Sequence, residues 1–216
     1  MAIGELVEAL PNLPREWEHF RYGLIADEAE KDFAGRVSGR RNAVLGVGGQ
    51  GTVRAISEAT CGRGDVYVIH PSDAILNVVM DTVLTDRLTN VDFRRARLDR
   101  LPAADGAFDT VFFVLQLHHE ANPVIALREA IRTLRPDGRI VILEAAGRRG
   151  DVAHTLPGSD FTEATSGPGR WLEYVGLRPV ATTDFRDAFK IRRGATESSY
   201  DLVTLEARRD SAAQAR

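Results

Sequence analysis

A short apolar run that passes directly into closely spaced glycines constrains the fold of this 216-residue chain more than any other feature. The apolar run is Val44 and Leu45, with Val47 after the first glycine, and the glycines are Gly46, Gly48, Gly49 and Gly51. Residues 52–60, which follow, have the composition of a helix. A short, β-branched apolar run favours a buried strand. Glycines allow a sharp turn and the close approach of a ligand, and the start of a helix offers free N–H groups. The segment therefore predicts the strand–turn–helix unit that opens a nucleotide-binding α/β fold.

Strands and helices alternate along the rest of the chain. Apolar runs predict strands at residues 65–70, 91–98, 108–115, 139–144, 179–185 and 199–207, the last two separated by a charged loop. Amphipathic segments predict helices at residues 73–85, where Ser72 is the expected cap, from Asn122–Pro123 up to 134, and at 171–175. This alternation predicts a parallel sheet with right-handed crossovers and helices on both faces.

The two ends of the chain differ from this central pattern. Residues 15–36 are amphipathic, with Trp17, Phe20, Leu24 and Ile25 at roughly helical spacing, so residues 1–40 are expected to form a helical cap. This helix could cover the site as a lid or pack on the edge of the sheet. Residues 41–207 are expected to form the α/β domain, with a long loop at 147–169 and a frayed tail at 208–216.

Composition narrows the partners that this chain is expected to have. The net charge is −3, which gives no general attraction to nucleic acid or to an anionic membrane. Cys61 is the only cysteine, so a disulfide within the chain and a zinc site built from several cysteines are both excluded. The sequence contains neither a long apolar stretch nor a typical secretion signal, and a cytoplasmic protein is expected. The expected partner is a small molecule, with a homodimer left open.

Candidate ligand-binding residues lie where four predicted strands end. Ligands of parallel sheets bind at the carboxyl ends of the strands, beside the first strand. The candidates are Gly46, Gly48, Gly49, Gly51, His70, Pro71, Ser72, Leu98, Asp99 and Gln116, together with Tyr22 from the N-terminal segment. Their convergence on one edge of the sheet is stronger evidence for a cofactor site than the glycine pattern alone.

Two histidines supply the candidate chemistry. His118 and His119 follow the fourth predicted strand, where either could take a proton from a substrate or could serve only for packing and hydrogen bonding. Glu144, at the end of the fifth strand, could be a base or a buried structural carboxylate. The histidines and acids lack the close spacing of metal ligands, so no metal site is predicted.

Three stretches resemble the class I S-adenosylmethionine-dependent methyltransferases, in particular the small-molecule branch. They are Val44-Leu-Gly-Val-Gly-Gly-Gln-Gly-Thr52, Val68-Ile-His-Pro-Ser-Asp-Ala-Ile-Leu76 and the run from Leu101-Pro-Ala-Ala-Asp-Gly106 through Leu115-Gln-Leu-His-His119 to Arg135-Pro-Asp-Gly138. The resemblance implies a Rossmann-like seven-stranded sheet of order 3-2-1-4-5-7-6 with the seventh strand antiparallel. It also implies S-adenosylmethionine as the cofactor and methyl transfer to a small molecule.

Several residues depart from the pattern of that family. Gly46, His70 and Arg97 stand where the family usually has acids that hold the cofactor, and Gln50 replaces a motif glycine. Arginine has hydrogen-bond donors but no acceptor, so Arg97 cannot accept a hydrogen bond from the adenine amino group. The alternative is therefore a methyltransferase fold that no longer methylates, either a biosynthetic cyclase or rearrangement enzyme or a binding or regulatory subunit. A nicotinamide-linked enzyme is a third interpretation, but the acid expected after the second strand is absent.

Overall fold

The structure, a computed structural model, describes residues 23–47, 50–60, 64–146, 167–193 and 196–208. Within these residues the chain forms one eight-stranded sheet. The strands are β1 (Gly23–Ile25), β2 (Arg41–Leu45), β3 (Asp65–His70), β4 (Val91–Arg95), β5 (Phe108–Val114), β6 (Leu134–Ala146), β7 (Pro179–Arg193) and β8 (Thr196–Arg208). Their spatial order is β1-β7-β8-β6-β5-β2-β3-β4.

The predicted order of the sheet is confirmed. With β2 counted as the first strand, the order reads 3-2-1-4-5-7-6 from β4 towards β7. Strands β2 to β6 pair in parallel, whereas β8 is antiparallel to both of its neighbours. Parallel pairing places the carboxyl ends of β2, β3, β5 and β6 at one edge, so the residues that follow these strands come together there.

Helices cover both faces of the sheet, as predicted. They are α1 (Asp27–Gly35), α2 (Gln50–Ala59), α3 (Asp73–Thr85), α4 (Pro123–Thr133) and α5 (Gly167–Tyr174), with a 3₁₀ turn at Leu117–His119. The sheet lies between two hydrophobic cores. Side chains alternate along a strand, so consecutive residues of β5 point into different cores. Phe112 packs with Phe33 of α1 on one face, and Phe113 belongs to the core that contains Leu127 of α4 on the other.

The N-terminal segment departs from the predicted helix. Leu24 and Ile25 lie in β1, which adds an eighth strand antiparallel to β7, and the helix α1 begins only at Asp27. The amphipathic pattern places Leu24 and Ile25 in a helix, but their backbone N–H and C=O groups form hydrogen bonds with β7 instead. Helix α1 packs on the sheet through Ala29 and Phe33, both fully buried. Residues 1–22 lie outside the described part of the chain.

Several other boundaries also differ from the prediction. The charged segment predicted as a loop before residue 199 is largely strand, because β7 and β8 stay paired from Phe189–Tyr200 to Arg193–Thr196. Strand β6 begins at Leu134 rather than at residue 139, since Leu134 pairs with Phe108. Strand β4 ends at Arg95 rather than at residue 98. Of the predicted loop at 147–169, residues 167–169 belong to helix α5, and of the predicted tail at 208–216, residue 208 ends β8. The rest of both segments lies outside the described residues.

Candidate active site

The end of the central strand β2 is marked by a glycine with unusual backbone geometry. Gly46 has φ +76°, a left-handed conformation that glycine adopts without strain, and its N–H donates to the carbonyl of Ile69 at 3.3 Å. A β-carbon on Gly46 would lie only 2.4 Å from Cβ of Gln116. Gly46 therefore leaves the space that the side chain of Gln116 fills.

Gln116 lies two residues after the end of β5 and is 1% exposed. It comes after Leu115, whose φ of +48° turns the chain sharply at the end of the strand. The Gln116 Nε2 donates to Glu120 Oε1 at 2.8 Å. The Gln116 Oε1 is buried and accepts no hydrogen bond from any residue that the structure describes.

A buried carboxylate on the neighbouring strand holds the turn after β5 in place. Glu144 of β6 is 1% exposed, and its Oε1 accepts the backbone N–H groups of Gln116 at 3.1 Å and Leu117 at 2.8 Å. Its Oε2 lies 2.6 Å from Nδ1 of His118. These three hydrogen bonds compensate for the burial of the charge. Glu144 is thus a structural carboxylate that also orients a histidine.

The geometry distinguishes the two predicted histidines. His118 Nδ1 faces a carboxylate and therefore donates to it, so Nε2 is the basic nitrogen of the neutral ring. The His119 ring lies against the His118 ring with a centroid separation of 4.0 Å and an interplanar angle of 44°. His118 thus has the contact expected of an oriented base, whereas His119 packs beside it.

His70, at the end of β3, is fully buried and neutral. Its Nδ1 accepts the backbone N–H of Ser72 at 2.9 Å, so the neutral ring carries its proton on Nε2. Burial lowers the pKa of His70 to about 4. Ser72 occupies the N-cap of α3 as predicted, but its side chain makes no capping hydrogen bond. Pro71, between them, is half-buried.

The segment after β4 presents an ion pair at the surface. Arg97 Nε donates to Asp99 Oδ1 at 2.9 Å, and Arg97 Nη2 donates to the second oxygen of the same carboxylate. This pairing lowers the pKa of Asp99. Leu98 is 1% exposed and belongs to the core, so its side chain is not exposed at the site. Arg97 therefore occupies the carboxylate that the sequence offers to a cofactor.

Gly51 has a role that sequence reasoning missed. It lies inside α2, and a β-carbon there would lie 2.7 Å from either carboxylate oxygen of Glu30. Thr52 Oγ1 donates to Glu30 Oε1 at 3.3 Å, and burial raises the pKa of Glu30. Gly51 thus accommodates a carboxylate of α1 at the start of α2. Gly48, Gly49 and Tyr22 lie outside the described residues.

Part of this chain is similar to a known protein family. The family model of the methyltransferase domain matches residues 44–142, which run from β2 into β6. Over these residues the chain is similar to the methyltransferase domain family. The resemblance predicted from the sequence is confirmed.

Relatives of the methyltransferase domain include the ubiquinone/menaquinone biosynthesis C-methyltransferase UbiE of Ectopseudomonas mendocina. It is 34% identical over 119 residues, which cover 53% of this chain and 46% of the relative. The chain therefore spans about half the length of the curated relatives that it matches.

Solved structures extend the likeness of fold beyond the matched stretch. A SAM-dependent methyltransferase from Aquifex aeolicus superposes with a TM-score of 0.65 at 20% identity, covering 95% of this chain and 97% of the other. The [4+2]-cyclase SpnF superposes with a TM-score of 0.61 at 18% identity, covering 84% and 80%. At these identities the likeness shows the fold alone.

Two further features of the described residues concern metal ions and membranes. The described residues contain no group of three or more histidine, cysteine or acidic side chains placed to bind a metal ion. None of the helices in the described ranges has the length and apolar character needed to cross a membrane.

Proposed function

We propose that the chain transfers a methyl group from S-adenosylmethionine to a small molecule. The observation that carries the proposal is the family match over residues 44–142, which includes Gly46, His70, Gln116 and His118 at the carboxyl ends of their strands. This edge is where parallel sheets bind their ligands. The net charge of −3 gives no general attraction to nucleic acid, which favours a small-molecule acceptor.

The described residues at the ends of β2, β3 and β5 support this cofactor. The buried acceptor Gln116 Oε1, which lies over Gly46, suits a ligand that brings an N–H donor to this edge. His70, whose neutral ring has its proton on Nε2, lies at the end of β3. When bound, S-adenosylmethionine supplies an electrophilic methyl group on a positively charged sulfur. The residues proposed to hold it are Gly46, Gly48, Gly49, His70 and Gln116.

His118 is proposed as the base that receives a proton from the methyl acceptor. The Nδ1–H of His118 donates to Glu144 Oε2, with 2.6 Å between the nitrogen and the oxygen. This hydrogen bond orients the ring and leaves Nε2 as the basic atom. A carboxylate partner also stabilises the positive charge that the ring acquires when it takes the proton. His119 is proposed to act beside it by fixing the ring through their contact.

Titration calorimetry of the full chain with S-adenosylmethionine and with S-adenosylhomocysteine tests the cofactor directly. We expect saturable binding of both. Incubation with methyl-labelled S-adenosylmethionine and a panel of phenols, quinols and amines then tests turnover by mass spectrometry of the small molecules. The proposal fails if neither ligand binds at millimolar concentration.

The alternative of a fold that no longer methylates is favoured by the engagement of Asp99 with Arg97 and by the buried neutral His70. The Asp99 carboxylate is engaged by Arg97, and His70 is not a carboxylate, so neither offers a carboxylate ready to accept hydrogen bonds from the hydroxyls of a ribose. Under this alternative, the protein would bind S-adenosylmethionine weakly or not at all. It could also bind S-adenosylmethionine tightly yet leave the methyl group in place with every acceptor tested.

A further inference from the structure

Strand β4 lies at one end of the sheet. Among the described strands it pairs only with β3. The N–H of Val66 in β3 donates to the carbonyl of Asn90 at 2.8 Å, so Asn90 and every second residue after it direct their backbone groups towards β3. The N–H and C=O groups of Val91, Phe93 and Arg95 therefore point away from the sheet.

A row of outward backbone groups is a template for pairing with another strand. Charged side chains on an edge strand can also block such pairing, and β4 carries three of them, Asp92, Arg94 and Arg95. The order of these charges decides between the two outcomes, because a charge that repels one partner strand attracts another.

The side chains of β4 differ between its two faces. Val91 and Phe93 pack against the core beneath α3. Asp92 and Arg94 point to the other face, where their side chains are 41% and 52% exposed and form an ion pair at 2.6 Å. The connection from β4 to β5 contains no helix that would cover them. A carboxylate and a guanidinium are thus accessible side by side at the edge.

The charges select one register for an antiparallel pair between two copies. Outward residues must lie opposite one another, which places the two-fold axis beside a residue and not between two. An axis beside Asp92 opposes two aspartates, and an axis beside Arg94 opposes two arginines. An axis beside Phe93 sets Asp92 opposite the partner's Arg94 on both sides of the axis. It also pairs all 5 residues of the strand.

This register places the opposite charges where they interact most closely. Asp92 and the partner's Arg94 form non-hydrogen-bonded pairs, in which the Cα atoms lie about 4.5 Å apart and the side chains are closest. Opposite charges stabilise such cross-strand pairs, and like charges destabilise them. The outward groups of Phe93 meet those of the partner's Phe93, so the backbone and the side chains favour the same register.

Apolar side chains are exposed on the helix that precedes β4. Met80 of α3 is 37% exposed and Leu84 is 68% exposed. Met80 lies in one row of the helix with Leu76 and Val83, which are both buried. A right-handed crossover places α3 over β3 and β4. A sheet that continues through β4 into a second copy keeps α3 of both copies on one face, where Met80 and Leu84 can pack together.

We propose that the chain forms a two-fold dimer in which the β4 strands of two copies pair antiparallel, with Phe93 opposite the partner's Phe93. The occupant of the free edge is then a second copy of this chain. Antiparallel pairing directs the carboxyl ends of the parallel strands of the two copies to opposite sides of the joint sheet. Each copy therefore keeps its own site, and the dimer is independent of the proposed function.

Sedimentation equilibrium of the full chain tests the pairing by exchanging its charges. Wild-type protein should form a dimer whose fraction rises with concentration. Asp92→Arg opposes arginines and Arg94→Asp opposes aspartates, so each variant alone should dimerise about tenfold or more weakly. An equal mixture of the two variants should regain the dimer, because each introduced charge then faces its opposite. Both variants lose the ion pair within β4, so the mixture cannot recover by restoring it.

A second pair of variants tests the backbone contact. The Arg95 side chain forms a surface ion pair with Asp73, which Arg95→Pro and Arg95→Ala both remove. Only proline also removes the outward N–H, and an edge strand tolerates proline at such a position. Arg95→Pro should abolish the dimer, whereas Arg95→Ala should stay within about threefold of wild type. Equal dimerisation of these two variants would contradict pairing through β4.

Three results would overturn the inference. One is a wild-type protein that stays monomeric up to millimolar concentration. Another is a mixture of Asp92→Arg and Arg94→Asp that dimerises no better than either variant alone. The third is hydrogen exchange in which the amides of residues 91, 93 and 95 are equally protected at all concentrations, since another segment of the same chain would then cover the edge.

Discussion

Replacing His70 with asparagine separates its structural contact from its titration. The Nδ1 of His70 accepts the Ser72 N–H at 2.9 Å in a fully buried position. An asparagine amide oxygen can accept the same N–H, but it cannot gain a proton over this pH range. Wild-type protein and His70→Asn should therefore differ in how their stability depends on pH.

The size of the difference follows from the two pKa values of the histidine. In the unfolded chain the group titrates near 6.5, whereas burial holds the folded pKa at about 4. Between these values the unfolded state binds a proton that the native state does not, so the free energy of unfolding falls as the pH falls. The contribution is fully present above pH 6.5, and about 3 kcal/mol is lost by the time the pH reaches about 4.

Urea unfolding followed by circular dichroism at pH 7.5 and pH 5 measures this effect. The stability of wild type minus that of His70→Asn should fall by about 2 kcal/mol between those two conditions. Taking the difference cancels the groups that titrate alike in both proteins. A difference that stays constant with pH would refute the reasoning. So would a nitrogen-correlated NMR spectrum that shows His70 protonated on Nδ1 at neutral pH.

Three other substitutions probe separate contacts by urea unfolding or by assay. Asp109→Ala removes the acceptor of the Arg40 and Arg41 N–H groups at 2.8 and 2.9 Å and should cost about 2 kcal/mol at pH 7. Because these donors and Arg135 outweigh desolvation and lower the pKa of Asp109, the deficit should shrink as the pH falls below the unfolded value of 3.8; a deficit that is equal at pH 7 and pH 3 would contradict this. Gly46→Ala should lower the free energy of unfolding by about 2 kcal/mol, because Gly46 is left-handed and the new β-carbon would lie 2.4 Å from Gln116 Cβ. In the control Gly35→Ala the new β-carbon would have no atom within 4 Å, so the stability should not fall. Equal effects of the two substitutions would show that Gly46 is not constrained. Glu144→Gln should slow methyl transfer about 100-fold or more by offering His118 an amide donor in place of the carboxylate, and unchanged turnover would remove His118 as the oriented base.

Most strands and helices were predictable from local signals, whereas the order of the strands was predicted from the resemblance to the methyltransferase family. Phe112 and Phe113 lie in a run that is apolar on both sides, which only a strand buried on both faces requires. Asn122, Pro123 and the following apolar spacing define α4, and Asn122 Oδ1 accepts the N–H of Ile125 as an N-cap should. Such signals depend on neighbours in sequence, which is why they survive without a structure.

The eighth strand and the long hairpin were not predictable in the same way. Leu24 and Ile25 fit a helical pattern, and their pairing with Lys190 and Phe189 depends on residues about 165 positions away. The charged segment after Phe185 predicts a loop, yet residues 189–193 pair with β8, and residues 189–191 also pair with β1. Backbone pairing does not require apolar side chains, so polarity there does not indicate a loop.

The contacts within the site were the least predictable part. Gly46, His70 and Gln116 were identified by their place after strands, but nothing in the sequence shows that Gln116 fills the space over Gly46. Glu30 lies in an amphipathic helix, where an acid ordinarily faces solvent, and only the structure places it against Gly51. These contacts join separate elements, and a single sequence has no local signal for them.

Glu144 couples the two halves of the proposed chemistry. One of its oxygens holds the backbone of Gln116, which carries the proposed ligand acceptor, and the other holds His118, the proposed base. A loss of this carboxylate should therefore disturb ligand binding and proton transfer together, whereas the loss of either partner should disturb only one of them. Because Glu144 lies on β6 and its partners follow β5, the parallel pairing of these strands sets the geometry of the site. The position of the base is thus a property of the sheet itself, not of the loop that carries the histidine.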